Sequence, residues 1–366
     1  MTRDRFVFFF LLLVLSLFYT GWRFWHVLPL SRPLKWGFVL LYFLCFASMF
    51  IHYGFEKRMP LGLAAFTYEL GTSWLIFFLY ALLFFLALDL LRLLHILPAS
   101  LLKDSVAGTC TVLGGIALLL AGGYLHYHHK YCEELEIVSA KAPERPLTVV
   151  LASDLHVGYH NRRGELARWV DMINAEHPDL VLFAGDILDG SVRPAREWHC
   201  DEEFRRIEAP VYSCLGNHEY ISRLNPAVSF YEDAGIRLLR DASVEAAGVR
   251  IIGRDDLSNP GRTALSELAS SQDSLFTILL DHQPYHLEEA EHCGIDFQFS
   301  GHTHHGQIWP GNWVTDMLFE KAFGAYSKGD TRYYISSGLG IWGGKFRIGT
   351  RSEYVVLRIR RPIQTG

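Results

Sequence analysis

Leu147-Thr-Val-Val-Leu-Ala152 is a short apolar, β-branched run that ends in Ser153-Asp154-Leu155-His156. It reads as a buried strand with polar residues starting where the strand stops. The pattern recurs downstream. Leu180–Ala184 ends in Gly185-Asp186, and Val211–Cys214 ends in Gly216-Asn217-His218-Glu219. Leu275–Leu280 ends in Asp281-His282, and Phe297–Ser300 ends in Gly301-His302-Thr303-His304. Between the first two runs, Gly164–His177 has helical spacing at Leu166, Trp169, Val170 and Ile173. Val192–Ile207 reads as a more polar helix. Ile236–Leu239, Ala246–Gly248 and Val249–Gly253 read as short antiparallel strands. Strands alternating with helices predict a layered α/β fold, in which ligands collect outside the carboxyl ends of the strands.

Asp154, Asp186 and Asn217 are separated by 32 and 31 residues, about one βαβ unit each, so they can converge at neighbouring strand ends. Asp154 and His156 alternate at i and i+2, and His302 and His304 repeat that spacing. The Gly before Asp186, Asn217 and His302 permits a tight turn beside a ligand. A lone Asp-x-His is usually a turn or a cap, and Gly-Asp is a common turn. Four such clusters in one order, each after a buried strand, are not explained that way. Mixed carboxylate, amide and imidazole ligands without Cys suit Mn, Fe or Zn. There are more candidate ligands than one ion requires.

The chain has 366 residues, half of them hydrophobic. Residues 1–146 hold 12 Lys/Arg and 9 Asp/Glu, and residues 147–366 hold 22 and 30. The acidic second part argues against a nucleic-acid partner, which calls for Lys and Arg to replace counterions. Six scattered Cys give neither a disulfide framework nor a zinc ribbon.

Four stretches lack Asp, Glu, Lys and Arg: Phe6–Trp22, Trp36–Phe55, Leu70–Leu88 and Ser105–Leu125. Each approaches the roughly 20 residues needed to cross a bilayer. The first continues through Phe24–Leu30 if Arg23 snorkels. No small-residue cleavage site follows it, so it reads as a retained span. Glu56, Glu69 and Asp89 sit at span edges, which favours an anchor over a transport path. His126, His128, His129 and Lys130 read as an interfacial polar cluster. The flanking positives, Arg3, Arg5, Lys57, Arg58 and Lys130 on the side of the termini, lean slightly toward a cytoplasmic C-terminal domain. The expected domains are therefore a four-span transmembrane module over 1–130, a polar linker over 131–146 with room for an edge strand, and a globular domain over 147–366.

The cluster series resembles that of the calcineurin-like metallophosphoesterase superfamily: Asp154-Leu155-His156, Gly185-Asp186, Gly216-Asn217-His218-Glu219, His282 and Gly301-His302-Thr303-His304. Gly185-Asp186-Ile187-Leu188-Asp189-Gly190, Gly306-Gln307 and Ser336-Ser337-Gly338-Leu339-Gly340 are similar to its membrane-attached YkuE-like branch, which includes transmembrane proteins with a metallophosphoesterase domain. Three departures stand out. Gly190 replaces the Arg of protein phosphatases, His305 stands where the branch has Gly, and four spans exceed the usual single anchor.

The resemblance implies a four-layer αββα sandwich, so the expected fold is an α/β protein in which the four-helix transmembrane module read above precedes that sandwich. It implies two divalent metal ions, with manganese expected and iron or zinc as alternatives. Asp154, His156 and His304 would hold the first ion, Asn217, His282 and His302 the second, and Asp186 both. His218 would be the general acid, oriented by Asp189. Arg162 and Arg163, with His160 and Asn161, are candidates for gripping substrate phosphate or for a surface loop. The expected function is a membrane-bound phosphodiester or pyrophosphate hydrolase. Its expected substrate is amphipathic and lipid-linked, similar to that of the UDP-2,3-diacylglucosamine pyrophosphatases of lipid A synthesis. The expected location is the bacterial inner membrane, as a multi-pass protein. The alternatives are a phosphoesterase for soluble nucleotide-type substrates, and a membrane sensor or transporter with a metal-binding regulatory domain.

Overall fold

The computed structural model describes residues 3–269 and 274–363. Met1, Thr2 and residues 364–366, at the ends of the expected module and domain, lie outside the described residues, as do the side chains of Arg3 and Arg5 counted for topology. The chain divides into two compact units, Met1–Tyr124 and Leu125–Gly366.

Among the described residues, four helices are long and apolar enough to cross a membrane. They are α1 (Arg3–Val27), α2 (Arg32–Phe55), α3 (Leu61–Leu93) and α4 (Val106–His128), the last with one widened turn at Cys110–Gly114. Pro33 opens α2, where its missing N–H costs nothing, and Pro60 caps α3. Gly71 lets α3 approach α2 closely, since a Cβ there would lie 2.8 Å from the Met49 backbone nitrogen. Arg23 does not snorkel. Its side chain is 3% exposed and forms an ion pair with Asp89 of α3, which also accepts a hydrogen bond from Tyr19. Asp89 lies on α3, which runs on to Leu93.

The second unit holds two six-stranded sheets. The first is ordered β1 (Lys130–Val138), β12 (Ser352–Arg360), β2 (Leu147–Ala152), β3 (Leu180–Ala184), β4 (Val211–Cys214) and β5 (Arg237–Leu238). The second is ordered β10 (Gly324–Lys328), β11 (Thr331–Ile335), β9 (Phe297–Ser300), β8 (Phe276–Leu280), β7 (Val249–Gly253) and β6 (Ala242–Ala246). The strands that matter for the site are β2 (Leu147–Ala152), β3 (Leu180–Ala184), β4 (Val211–Cys214), β8 (Phe276–Leu280) and β9 (Phe297–Ser300). Within each sheet they run parallel, so their carboxyl ends lie together. Three hydrophobic clusters mark the three interfaces of four layers. Val149, Leu151, Leu182, Ile278 and Phe299 fill the space between the sheets. Val150 and Val181 pack under Leu166, Trp169 and Ile173 of the helix Arg163–Ala175. Leu279 and Ile335 pack under Leu265 and Leu287 on the other outer face. Alternate residues of one strand thus serve opposite interfaces, which is why these strands read as continuous apolar runs.

Several elements differ from expectation. The stretch read as a linker with room for an edge strand carries β1 (Lys130–Val138) from its first residues, paired in parallel with β12 (Ser352–Arg360) over nine residues. It is the edge strand, and its ladder is flanked by the Arg351–Glu133 and Arg358–Glu134 pairs. The polar helix expected over Val192–Ile207 is two short helices, Arg193–Glu197 and Cys200–Phe204, broken at His199, whose backbone is left-handed. Arg237–Leu238 pairs in parallel with β4, and Ala247-Gly248 is a turn between β6 (Ala242–Ala246) and β7 (Val249–Gly253).

Candidate metal centre

Five of the seven candidate ligands take a left-handed backbone at a strand end: Asp154 (φ 54°), His156 (45°), Asp186 (51°), His302 (71°) and His304 (47°). Such conformations cost of order 1–3 kcal/mol each for non-glycine residues and cluster at functional sites. Two glycines are required by close approach. A Cβ at Gly216 would lie 2.2 Å from Asp186 Oδ1, and one at Gly301 2.2 Å from Asp154 Oδ2.

The loops bring the side chains into two abutting groups. In the first, His156 Nε2 and His304 Nε2 are 3.0 Å apart, and Asp154 Oδ1 lies 3.4 Å from His304 Nε2. In the second, Asn217 Oδ1 lies 2.9 Å from His302 Nδ1 and 3.2 Å from His282 Nε2. Asp186 Oδ2 stands between them, 3.7 Å from His156 Nε2 and 3.2 Å from His282 Nε2. His282 Nδ1 donates to the Ala184 carbonyl at 2.7 Å, which leaves Nε2 as the coordinating atom. Asp154 is held by the backbone N–H of His302 at 3.0 Å, so each of these loops braces another.

Burial and charge set the protonation of the cluster. Burial, reinforced by His156, pushes the His304 imidazole well below its ordinary value. Burial, with His282 nearby, lowers His302 to about 4. Both are therefore neutral at pH 7, the form that binds a cation. Burial disfavours the Asp186 carboxylate, but the imidazoles of His282, His218 and His156 together outweigh it and hold Asp186 ionised. Two imidazole Nε2 atoms 3.0 Å apart, ringed by an ionised and a buried carboxylate, form a donor set that fits divalent cations.

His218 lies beside this set. Its ring meets that of His156 edge-on at 4.5 Å, and its Nδ1 is 3.4 Å from Asp189 Oδ1. Burial opposes its charge, but Asp186 and Asp189 raise it to about 9. Asp189 also lies 3.7 Å from His156 Nδ1. The substrate-binding candidates are placed differently. Arg162 lies over the Trp198 ring at 4.9 Å and donates to the Tyr159 carbonyl. Arg163 is engaged by Glu202 and Glu203. His160 and Asn161 are buried, not part of a solvated loop. His305 stacks on Phe323 and lies 3.5 Å from Asp316.

Two buried residues do work that the motifs did not reveal. Glu219 accepts the backbone N–H groups of Asp186, Leu188 and Gly216, tying two ligand loops together. Its place in Gly-Asn-His-Glu was the available signal. Arg347, fully buried, donates to the carbonyls of His304, Ser337 and Gly340, and no sequence pattern marked it.

Residues 147–306 match the family described as calcineurin-like phosphoesterase. An uncharacterized metallophosphoesterase of Helicobacter pylori is 30% identical over 226 residues, covering 59% of this chain and 60% of the relative. The uncharacterized protein YpbG of Bacillus subtilis is 30% identical over 234 residues, covering 59% of this chain and 82% of that protein. A Danio rerio protein named transmembrane protein with metallophosphoesterase domain is 29% identical over 242 residues, covering 60% of this chain and 55% of the relative. The chain spans about three fifths of the length of the first curated relatives it matches. The ligand series, its convergence at five strand ends and these matches agree, and the chain belongs to the calcineurin-like metallophosphoesterase family.

Proposed function

We propose that the chain is a membrane-held phosphoesterase using two divalent cations, manganese first among the candidates and iron or zinc next. The observation that carries this is the bridging position of Asp186 between the His156–His304 and His282–His302 groups. Asp154, His156 and His304 would hold one ion, Asn217, His282 and His302 the other, and Asp186 both. When bound, the two cations supply charge neutralisation on the phosphoryl oxygens and an activated water.

The chain's own residues do the rest. His218, cationic at neutral pH beside Asp189, gives its Nε2 proton to the leaving-group oxygen, the role of a general acid. Asp189 holds Nδ1 and stabilises the imidazolium. Arg162 is retained as the phosphate-gripping candidate, because Arg163 is committed to Glu202 and Glu203. Strain in the five left-handed ligands is carried by the fold before substrate arrives, which keeps the donors preorganised.

The substrate we propose is a lipid-linked phosphodiester or pyrophosphate, of the UDP-2,3-diacylglucosamine type. We place the chain in the bacterial inner membrane with the domain on the cytoplasmic side. Four spans and relatives named for a transmembrane segment support a bilayer-borne substrate. The test is turnover by the full chain, stripped of metal and then loaded with manganese, on a lipid pyrophosphate and on a soluble diester. No metal-dependent turnover of either substrate overturns the phosphoesterase reading. Equal kcat/KM on both overturns the lipid preference alone.

A further inference from the structure

The helix Gly311–Leu318 buries none of its residues. Trp313, Val314, Met317 and Leu318 are 58, 49, 77 and 68% exposed. Their spacing at i, i+1, i+4 and i+5 puts them on one face. Trp309, just ahead of the helix and itself exposed, packs edge-on against Trp313 with ring centroids 5.3 Å apart. A globular domain normally turns such a face to its core, and a contiguous exposed one marks an interaction site. The one charge on the helix, Asp316, is engaged by His305 at 3.5 Å and leaves this face uncharged.

The face continues to the metal centre. Phe319, the residue after the helix, has its ring 6.1 Å from that of His302 and 4.9 Å from that of Tyr285. Whatever covers the helix is therefore brought to the rim of the ligand cluster.

The rest of the chain says what is near enough to cover it. Four helices of the same chain are suited to cross a bilayer, and His129 alone separates the end of α4 at His128 from the start of β1 at Lys130. A domain joined by so short a connection stays within reach of the bilayer those helices would cross. Trp, Met and Leu on one side of a short helix are the composition of segments that settle at the boundary of headgroups and hydrocarbon.

We propose that Trp309–Leu318 docks into the headgroup–hydrocarbon boundary of the bilayer that holds the chain, and so sets the rim of the metal centre against lipid-borne phosphate. This rests on the phosphoesterase reading above and adds to it the route by which a lipid substrate reaches the ligands. A water-soluble diester does not need the helix.

The experiment uses the full chain in vesicles of phosphatidylcholine and phosphatidylglycerol. A photoactivatable benzoylphenylalanine replaces Met317 in one variant and the exposed Glu245 of β6 in another. Docking predicts a phospholipid-mass adduct at 317 and none at 245. An adduct to residues 1–124, an adduct to a second copy of the chain, or no adduct at 317 overturns the proposal. In parallel, Trp313→Ser/Met317→Ser should lower kcat/KM for a phosphoester presented in the vesicles by about 10-fold or more, the loss of one to two buried apolar side chains. Its kcat/KM on a soluble diester should not change. Equal loss on both substrates would overturn docking. Absence of turnover by the unaltered chain would count against the phosphoesterase reading alone, and the adduct would still decide docking.

Discussion

Tyr127 Oη donates to Asn161 Oδ1 at 2.7 Å, and both side chains are fully buried in the C-terminal unit. Asn161 in turn donates to the carbonyls of Leu155, His156 and Ile341 at 3.0, 3.1 and 3.2 Å. One amide thus fixes the backbone at candidate ligand His156, and the phenol fixes the amide.

Tyr127→Phe removes the donor and leaves Asn161 Oδ1 buried and unsatisfied, a loss of about 1–3 kcal/mol. Asn161→Leu frees three carbonyls and should cost more. Thermal unfolding reads the first effect. The second should also weaken metal binding measured by titration, and a metal affinity equal to that of the unaltered chain would show that Asn161 supports the fold only.

The seven candidate ligands should give nearly two transition metals per chain after reconstitution, measured by elemental analysis. Asp186→Ala should lose both ions and all turnover together, since its Oδ2 faces both groups. A stoichiometry that never passes one would end the two-ion assignment.

His218→Ala should keep the metals and lower kcat by about 10²–10⁴-fold, the range for a general acid. Loss of metal from that variant would instead make His218 a ligand.

Asp189→Asn removes a carboxylate that raises the His218 proton affinity. A general acid is active while protonated, so activity falls as pH rises through its pKa. Taking away the negative neighbour lowers that pKa, and the alkaline limb of the kcat profile should move to lower pH. A limb that stays in place would separate Asp189 from the acid.

Asp89→Leu should strand the buried Arg23 cation between helices and cost about 3 kcal/mol or more. Arg23→Leu/Asp89→Leu should recover most of that stability. The comparison is thermal unfolding of the three proteins in one detergent, and a double variant no better than the single one would show that the pair is not the cause.

The strand-end clusters were legible because each strand is apolar on both faces and stops at its ligand, so Leu147–Ala152 and Asp154 carry fold and site together. What stayed hidden depends on partners distant in sequence. β1 shows in the sequence only as room for an edge strand within a charged linker, because its ladder partner lies more than 200 residues later, at Ser352–Arg360. Arg23 looked like a snorkelling residue because Asp89 sits two helices away. Glu219 stands inside Gly-Asn-His-Glu, yet its clamp on backbone N–H groups leaves no spacing rule to read. The split at His199 needed a left-handed residue that no glycine announced.

The pairing of β1 with β12 bears on biogenesis. Lys130 is opposite Ser352 and Val138 opposite Arg360. The first strand to emerge after the hydrophobic helices therefore waits for the last before its sheet can be completed. Chains are built from the N-terminus at about 5–20 residues per second, so the nascent domain stays open for roughly ten seconds or longer after its first strand appears. During that interval its unpaired edge is exposed beside the ribosome, and insertion of the four helices can precede closure of the catalytic domain.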